Sequence, residues 1–226
     1  MGKDKLRRFQ ENLGFPNIFQ PEAITILHDP HPMRGKWKEH FGNDNPITLE
    51  LGCGKGEYTI GLARMYPDRN FIGVDIKGAR IWRGAKTAVE EGLHNVAFLR
   101  SRIDFITRFF AETEADQIWL TFSDPHIGNE KGQRRLSSSL FIDRYRQFMP
   151  PGALVHLKTD STLLYDWTME TLPESKCKVL VHSDDIYGEF FKSLDEEWQQ
   201  VLGIRTFYEQ RWLKEGLKIK YIRWQI

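Results

Sequence analysis

One stretch of ten residues, Ile47 to Gly56, most constrains what this chain can fold into. It reads I-T-L-E-L-G-C-G-K-G, a short apolar run that ends in three glycines at alternate positions, Gly52, Gly54 and Gly56. A segment of helical periodicity follows at once. A strand, a glycine turn and a helix N-terminus are typical of α/β folds that bind nucleotide-like ligands. Glycine is needed there because the turn requires positive φ angles and the ligand lies against bare backbone.

A second strand-like run supports the same interpretation. Phe71 to Asp75 reads F-I-G-V-D and ends in a carboxylate about 20 residues after the turn. In nucleotide-binding α/β folds an acid at this place holds the ribose hydroxyls. The sequence therefore predicts a ribose-bearing ligand between the first two strands.

The residue types around the turn distinguish between nucleotides. The third glycine of the dinucleotide fingerprint would fall at position 57, where the chain has Glu57, and an acid, Glu50, precedes the turn. A carboxylate there would repel a pyrophosphate but attract a ligand with an ammonium and a sulfonium. The pattern resembles motif I of the S-adenosylmethionine (SAM)-dependent methyltransferases. NAD binding and an ordinary strand-turn-helix without a ligand remain as alternatives.

Length and composition bound the class of protein. The 226 residues suit one α/β domain, which we assign to residues 47–226, preceded by a polar extension over residues 1–46. The net charge of +1 does not by itself indicate a nucleic-acid partner, which would need a local basic patch. Two cysteines and the lack of a long apolar run predict a cytoplasmic protein with no membrane span and no metal site.

Strand-like and helix-like runs alternate from Ile47 onward, which predicts a mostly parallel sheet with helices on both faces. Residues 183–216 are long for a connection, and we treat them as an insertion that is partly helical, with one helix predicted from Phe190 to Val201. A further helix is predicted over residues 103–111. Leu217 to Trp224 then alternates apolar and polar residues, which predicts one more strand, antiparallel to its neighbour.

Four predicted strands end in acids, namely Glu50, Asp75, Asp124 and Asp160. Ligands of open parallel sheets bind at the carboxyl ends of strands, so these carboxylates are candidates for one site. The loop after Asp124 carries two arginines, Arg134 and Arg135, which suit phosphate groups. Acids at strand ends also cap helices, and arginines also pair with surface acids, so a structural role stays open for each.

Several further motifs follow in a fixed order, and it is their combination that is specific. They are Glu50 to Gly56, Gly73 to Asp75, Thr121 to Pro125, Arg134 to Leu136, His156 to Asp160 and Thr206 to Glu209. Together they resemble the tRNA (guanine-N7-)-methyltransferase family over roughly Ile47 to the C-terminus. The resemblance implies a Rossmann-like class I methyltransferase fold with seven strands, the last antiparallel. It also implies SAM as cofactor and tRNA as partner, with methyl transfer to N7 of a variable-loop guanine.

The resemblance also implies roles for individual residues. The cofactor would contact Glu50, Gly52, Gly54, Gly56, Asp75 and Asp124; a third family contact, usually acidic or Asn, falls on Arg102, with Asp104 nearby to compensate. Asp124 would be the catalytic acid, with Ser123 replacing a family proline. Substrate contacts would be Asp160, Thr206, Phe207, Tyr208, Glu209, Arg134 and Arg135; a family lysine falls on Gly128, and Lys131 is the nearest lysine.

Two other functions compete with this interpretation. A methyltransferase for small molecules would use the same scaffold, but the arginine pair and residues 206–209 argue against it. A noncatalytic tRNA-binding module would explain the departures at Arg102 and Gly128.

The N-terminal cluster of Lys3, Lys5, Arg7 and Arg8 is either a solvated surface or an arm that contacts phosphates. The sequence leaves monomer and homodimer open.

Overall fold

A computed structural model describes residues 2–226, and for residues 2–3, 23–25 and 129–131 it describes the backbone alone. Apolar, β-branched runs form the strands, and all but the two at the edges of the sheet are buried along most of their length. The strands are β1 (Ile18–Phe19), β2 (Ile47–Leu51), β3 (Asn70–Asp75), β4 (Val96–Arg100), β5 (Gln117–Thr121), β6 (Leu154–Thr159), β7 (Lys178–Ser183) and β8 (Lys220–Gln225).

All eight strands form one sheet in the order β1-β4-β3-β2-β5-β6-β8-β7. The pairs from β1 to β6 are parallel, and β8 runs antiparallel to both β6 and β7. The chain therefore has the predicted Rossmann-like class I methyltransferase fold, a mostly parallel sheet whose last strand is antiparallel. The strand order reverses between β2 and β5, so the carboxyl ends of these strands border the crevice where such folds bind ligands.

The sheet has one strand more than the seven expected. The extra strand is β1, only two residues long, which pairs Ile18 with Phe98 and Phe19 with Leu99. Asn17 secures it, because its carbonyl accepts the Phe98 N–H at 2.7 Å and its side-chain amide donates to the Ala85 carbonyl at 3.2 Å. A two-residue strand has no periodicity to detect, so only the long-range pairing reveals it.

Helices cover both faces of the sheet. They are α1 (Gly2–Asn12), α2 (Ala23–His28), α3 (Trp37–Phe41), α4 (Glu57–Met65), α5 (Gly78–Glu90), α6 (Ser139–Tyr145), α7 (Thr162–Thr171), α8 (Glu189–Ser193), α9 (Glu196–Gly203) and α10 (Phe207–Lys214). Two 3₁₀ helices, Ile103–Arg108 and Asn129–Arg134, complete the connections. Alternate strand residues enter two separate cores, one around Leu49 and Leu120 and the other around Phe98 and Trp119.

The N-terminal segment packs on this domain. Trp37 is fully buried, and its indole N–H donates to the Phe109 carbonyl at 2.9 Å. In α1, Arg7 pairs with Asp4 and Glu11, and Arg8 pairs with Asp4, while both guanidinium groups lie over the Trp82 ring. These partners partly neutralise the basic cluster at the surface; the side chain of Lys3 lies outside the described part of the chain.

The insertion differs in detail from its prediction. A single helix was expected from Phe190 to Val201, but two helices form there. Helix α8 ends at Ser193, and α9 begins at Glu196, where the Asp195 side chain caps the helix by accepting the Trp198 N–H at 2.8 Å. Helix α10 was not predicted, although its capping box, Thr206 with Glu209 three residues later, is a signal that the sequence carries. The helix that was expected over residues 103–111 is instead the shorter 3₁₀ helix Ile103–Arg108.

Within residues 2–226 none of the helices combines the length and apolar character that a membrane span needs. The described side chains also contain no cluster of three or more His, Cys, Asp or Glu residues arranged to hold a metal ion.

Candidate active site

The glycine turn has the backbone conformation that its sequence requires. Gly52, Gly54 and Gly56 have φ angles of 82°, 57° and 72°. A Cβ atom added to Gly52 or Gly54 would meet open space, whereas one on Gly56 would lie 2.6 Å from the Phe98 ring. The first two glycines therefore present bare backbone, and the third is required for packing against the sheet.

A cleft of about 1110 Å³ lies at the carboxyl ends of the parallel strands, beside this turn. Many of the residues that the sequence nominated line it together. They are Gly52, Asp75, Arg102, Asp104, Asp124, Arg134, Asp160 and Tyr208. Residues at the ends of five parallel strands thus meet Arg134 and a residue of α10 around one cavity, which is large enough for a nucleoside and a base.

Asp75 closes the turn at the end of β3. Its two carboxylate oxygens accept hydrogen bonds from the Gly54 N–H at 2.9 Å and the Lys77 N–H at 2.7 Å. Each carboxylate oxygen has a second lone pair, so the group can still accept hydrogen bonds from a diol in the cleft. Asp75 is only 8% exposed, and it lines the cavity.

Glu50 lies deeper than its sequence position suggested. It is buried, and its carboxylate accepts hydrogen bonds from the Thr59 N–H at 2.8 Å and from the hydroxyls of Thr59 and Thr121. Burial raises its pKa to about 7 from an ordinary value of 4.5, and the threonine hydrogen bonds oppose the shift. The contacts tie the end of β2 to α4 and to β5, and Glu50 is not among the residues lining the cleft.

Arg102 and Asp104 form an ion pair on the cleft wall. The Arg102 guanidinium donates to Asp104 Oδ2 at 3.1 Å, and both side chains are exposed. Arg144 approaches the other Asp104 oxygen at 3.7 Å. The acid that the family pattern places at position 102, where this chain has Arg102, is therefore present two residues later as Asp104, which lines the same cavity.

Asp124 lies in a constrained loop after β5. Phe122 and His126, on either side of it, have φ angles of 52° and 44°, which cost non-glycine residues about 1–3 kcal/mol each. Asp124 Oδ1 accepts the His126 N–H at 2.8 Å, and the side chain is 73% exposed in the cleft. The loop therefore holds an open carboxylate over the cavity at the expense of backbone strain, which is characteristic of functional sites.

The two neighbouring arginines have different environments. Arg134 is exposed and lines the cleft. Arg135 is buried over the Trp167 ring at 4.5 Å, and its guanidinium donates to the carbonyls of Pro125 at 2.8 Å and His126 at 3.2 Å. Arg135 thus braces the Asp124 loop. The backbone of Gly128, with φ 114°, starts the following 3₁₀ turn, and the side chain of Lys131 lies outside the described part of the chain.

The segment that begins α10 also divides into two environments. Thr206 and Glu209 form a capping box and are buried, with Glu209 paired to Lys158. Phe207 and Tyr208, between them, are about half exposed, and Tyr208 lines the cleft together with Asp160. Burial raises the pKa of Asp160, and Lys220 nearby opposes that shift.

Sequence reasoning missed several cleft residues. Lys77 and Arg80, at the start of α5, and Trp212, in α10, line the cavity. Lys77 follows Asp75 by two residues and was open to the same strand-end argument. Trp212 carries no such signal, because α10 itself was not predicted.

The fold and the site together define a class I methyltransferase scaffold. The 16S rRNA methyltransferase KamB superposes with a TM-score of 0.63 over 85% of this chain and 93% of its own, at 15% identity. The profile of the Methyltransf_4 family, described as "Putative methyltransferase", matches residues 44–222. At this level the chain is a methyltransferase by family and by fold.

Full-length relatives narrow the class. The tRNA (guanine-N(7)-)-methyltransferase of Bacteroides fragilis is 48% identical over 99% of this chain and 86% of its own length. The enzyme of the same name from Christiangramia forsetii is 47% identical over 99% of this chain and 98% of its own. The chain belongs to the tRNA (guanine-N(7)-)-methyltransferase family.

Proposed function

We propose that this protein transfers a methyl group from SAM to N7 of a guanine in the variable loop of tRNA, in the cytoplasm. The observation that carries the proposal is the convergence of the glycine turn, Asp75 and Asp124 on one cleft. Two relatives that are 48% and 47% identical to this chain are named tRNA (guanine-N(7)-)-methyltransferase, and their names support the same activity.

The residues of the turn fit SAM. Bare backbone at Gly52 and Gly54 gives room for a close ligand, and the remaining lone pairs of Asp75 suit the ribose diol. Asp104 would supply the acid that the family places near Arg102. When bound, SAM supplies an electrophilic methyl group on a sulfonium.

The chain's main task is to position the base. Guanine N7 already has an in-plane lone pair, so no side chain needs to remove a proton from it. Fixing the base in line can supply on the order of 7–11 kcal/mol of barrier reduction. The rigid loop around Asp124, braced by Arg135, and the wall formed by Tyr208 and Asp160 would provide this orientation.

Asp124 would act on the charge that develops on guanine. Methylation leaves positive charge on the ring, and a fixed carboxylate nearby stabilises it. The same carboxylate can accept hydrogen bonds from guanine N1–H and the exocyclic amine. Adenine cannot offer that pair of donors, so one group would both select the base and favour the reaction.

tRNA would contact the protein through phosphates and an accessible loop base. Arg134, Lys77 and Arg80 line the cleft without an acidic partner among the described side chains. Phosphate contacts from such cations release counterions, so tRNA affinity should fall steeply with salt. Selectivity would come from RNA shape and from the exposed base.

The direct test is incubation of labelled SAM with unmodified tRNA, followed by chemical mapping of N7-methylguanine. Label at one variable-loop guanine is the expected result. Free guanosine in a parallel reaction separates a small-molecule methyltransferase, which would label it equally well. Binding of tRNA with no label in either reaction would favour a noncatalytic tRNA-binding module and would overturn the proposal.

A further inference from the structure

A fully buried ion pair lies just behind the cleft. Lys158, near the end of β6, and Glu209, in the first turn of α10, are both inaccessible to solvent, and their charged atoms are 2.8 Å apart. Lys158 Nζ also donates to the carbonyls of Leu202 at 2.7 Å and Ile204 at 2.9 Å. Its three protons therefore have three partners.

The carboxylate is equally well satisfied. Glu209 accepts a hydrogen bond from the Tyr187 hydroxyl at 2.6 Å and one from the Thr206 N–H at 3.3 Å. Burial lowers the pKa of the Lys158 ammonium to about 8, and the nearby Glu209 opposes that shift. Buried ion pairs contribute little net stability compared with apolar residues of similar size, so stability alone does not account for this one.

The pair connects two parts of the site. The backbone carbonyl of Lys158 accepts the Phe122 N–H at 2.8 Å, which fixes the strained turn two residues before Asp124. The Lys158 side chain holds Glu209, the residue that follows Tyr208. One residue of the sheet thus sets the Asp124 loop with its backbone and the start of α10 with its ammonium.

Phe207 and Tyr208 form a pair of exposed aromatic rings at the start of α10, which we call the aromatic edge. Their rings are 5.7 Å apart in a T-shaped arrangement, and they are 54% and 44% exposed. Lys55, from the glycine turn, lies 4.3 Å from the Phe207 ring, and the Phe207 N–H donates to Glu57 at 3.2 Å. Exposed aromatic rings beside a cation and a cleft suit stacking of an unpaired RNA base.

We propose that Lys158 and Glu209 are positioning residues. They hold the aromatic edge in a fixed position at the cleft, so that an unstacked RNA base packs against it beside Asp124. The inference rests on the proposed function, because the base is that of the tRNA substrate. It differs from a direct substrate contact by Glu209, whose carboxylate is enclosed by Lys158, Tyr187 and Thr206.

The test is a double-mutant cycle on the tRNA KM at saturating SAM. The paired variant Phe207→Ala/Tyr208→Ala removes the aromatic edge and should raise this KM about tenfold. Glu209→Gln should raise it about fivefold in the native chain, with SAM affinity unchanged, and by less than about twofold when the aromatic edge is already absent. Equal fold-changes in both backgrounds would overturn the proposal, because Glu209 would then act independently of the aromatic edge.

A milder variant and a spectroscopic signal guard against misfolding. Tyr187→Phe removes one hydrogen bond to Glu209 and should follow the same pattern on a smaller scale. Trp212 is one turn further along α10, so its ¹⁹F resonance in fluorotryptophan-labelled protein, assigned with Trp212→Phe, should shift or broaden in Glu209→Gln. An unchanged resonance would contradict a loss of positioning.

Asp195→Ala is the matched control, because it removes the cap of α9 in the same insertion and does not touch α10. It should lower the melting temperature and leave the tRNA KM unchanged; a raised KM would show that general loosening of the insertion suffices and would overturn the proposal. Wild-type protein that fails to form N7-methylguanine in tRNA would overturn the proposed function instead, and the positioning role with it.

Discussion

The Gly54 N–H donates a 2.9 Å hydrogen bond to Asp75 Oδ2, which joins the turn after β2 to the end of β3. One carboxylate therefore shapes the glycine turn and faces the cleft at the same time. This relationship makes Asp75 the residue whose loss should be felt first in cofactor binding.

Asp75→Ala should weaken SAM binding about tenfold or more, because hydrogen bonds to a charged acceptor contribute roughly 1.5–3 kcal/mol each. Titration calorimetry measures the affinity directly. Asp68→Ala, at an exposed acid before the opposite end of β3, is the control and should bind SAM as the native protein does. Unchanged affinity in Asp75→Ala would exclude a role in holding the ribose.

Asp124→Asn should lower kcat about 100-fold and leave SAM affinity within about twofold. An amide oxygen can still accept the His126 N–H, so the loop keeps its geometry while the charge facing the base is lost. Single-turnover methylation and SAM titration separate the two quantities. A parallel loss of both would place Asp124 in the cofactor site.

The neighbouring arginines should give opposite phenotypes. Arg134→Ala should weaken tRNA binding and flatten the plot of log affinity against log salt by about one unit, with no change in melting temperature. Binding measured from low to moderate salt checks this. An unchanged salt slope would mean that Arg134 does not contact phosphate.

Arg135→Ala should lower the free energy of unfolding by about 2 kcal/mol, because it removes two hydrogen bonds and the contact with Trp167. Urea unfolding measures the change. The salt slope of tRNA binding should stay that of the native protein, and a slope reduced as in Arg134→Ala would contradict the bracing role.

Glu50 should make stability depend on pH. Its folded pKa of about 7 lies above the ordinary 4.5, so the folded state binds more protons between these values than the unfolded chain does. The contribution is complete below about 4.5 and is lost as pH rises through about 7, a change of about 3 kcal/mol.

Unfolding in urea at several pH values, compared between the native chain and Glu50→Gln, isolates this contribution. The amide that this substitution introduces cannot ionise, so the Glu50→Gln protein should lack the decline between about pH 4.5 and pH 7. Matching pH profiles in the two proteins would show that Glu50 ionises normally despite its burial.

Much of the fold was predictable because its signals are local. The alternation of strands and helices, the turn at Gly52 and Gly54 and the antiparallel pattern of β8 each depend on neighbours in the chain. The prediction of a single helix over residues 190–201 was wrong, because Asp195 caps the start of a new helix within that range. The apolar periodicity of the segment does not reveal this interruption.

The sequence by itself determined the parallel sheet, the turn and the acids that end its strands, because periodicity and the φ demands of glycine act over a few residues. Tertiary structure alone decided which of these groups face the cleft. Arg134 and Arg135, or Tyr208 and Glu209, are adjacent in the chain, yet one of each pair lies in the cavity and the other is buried against partners far away in sequence. Burial and hydrogen-bond partners depend on such long-range contacts, and they separate the residues that line the cleft from those that hold it in shape.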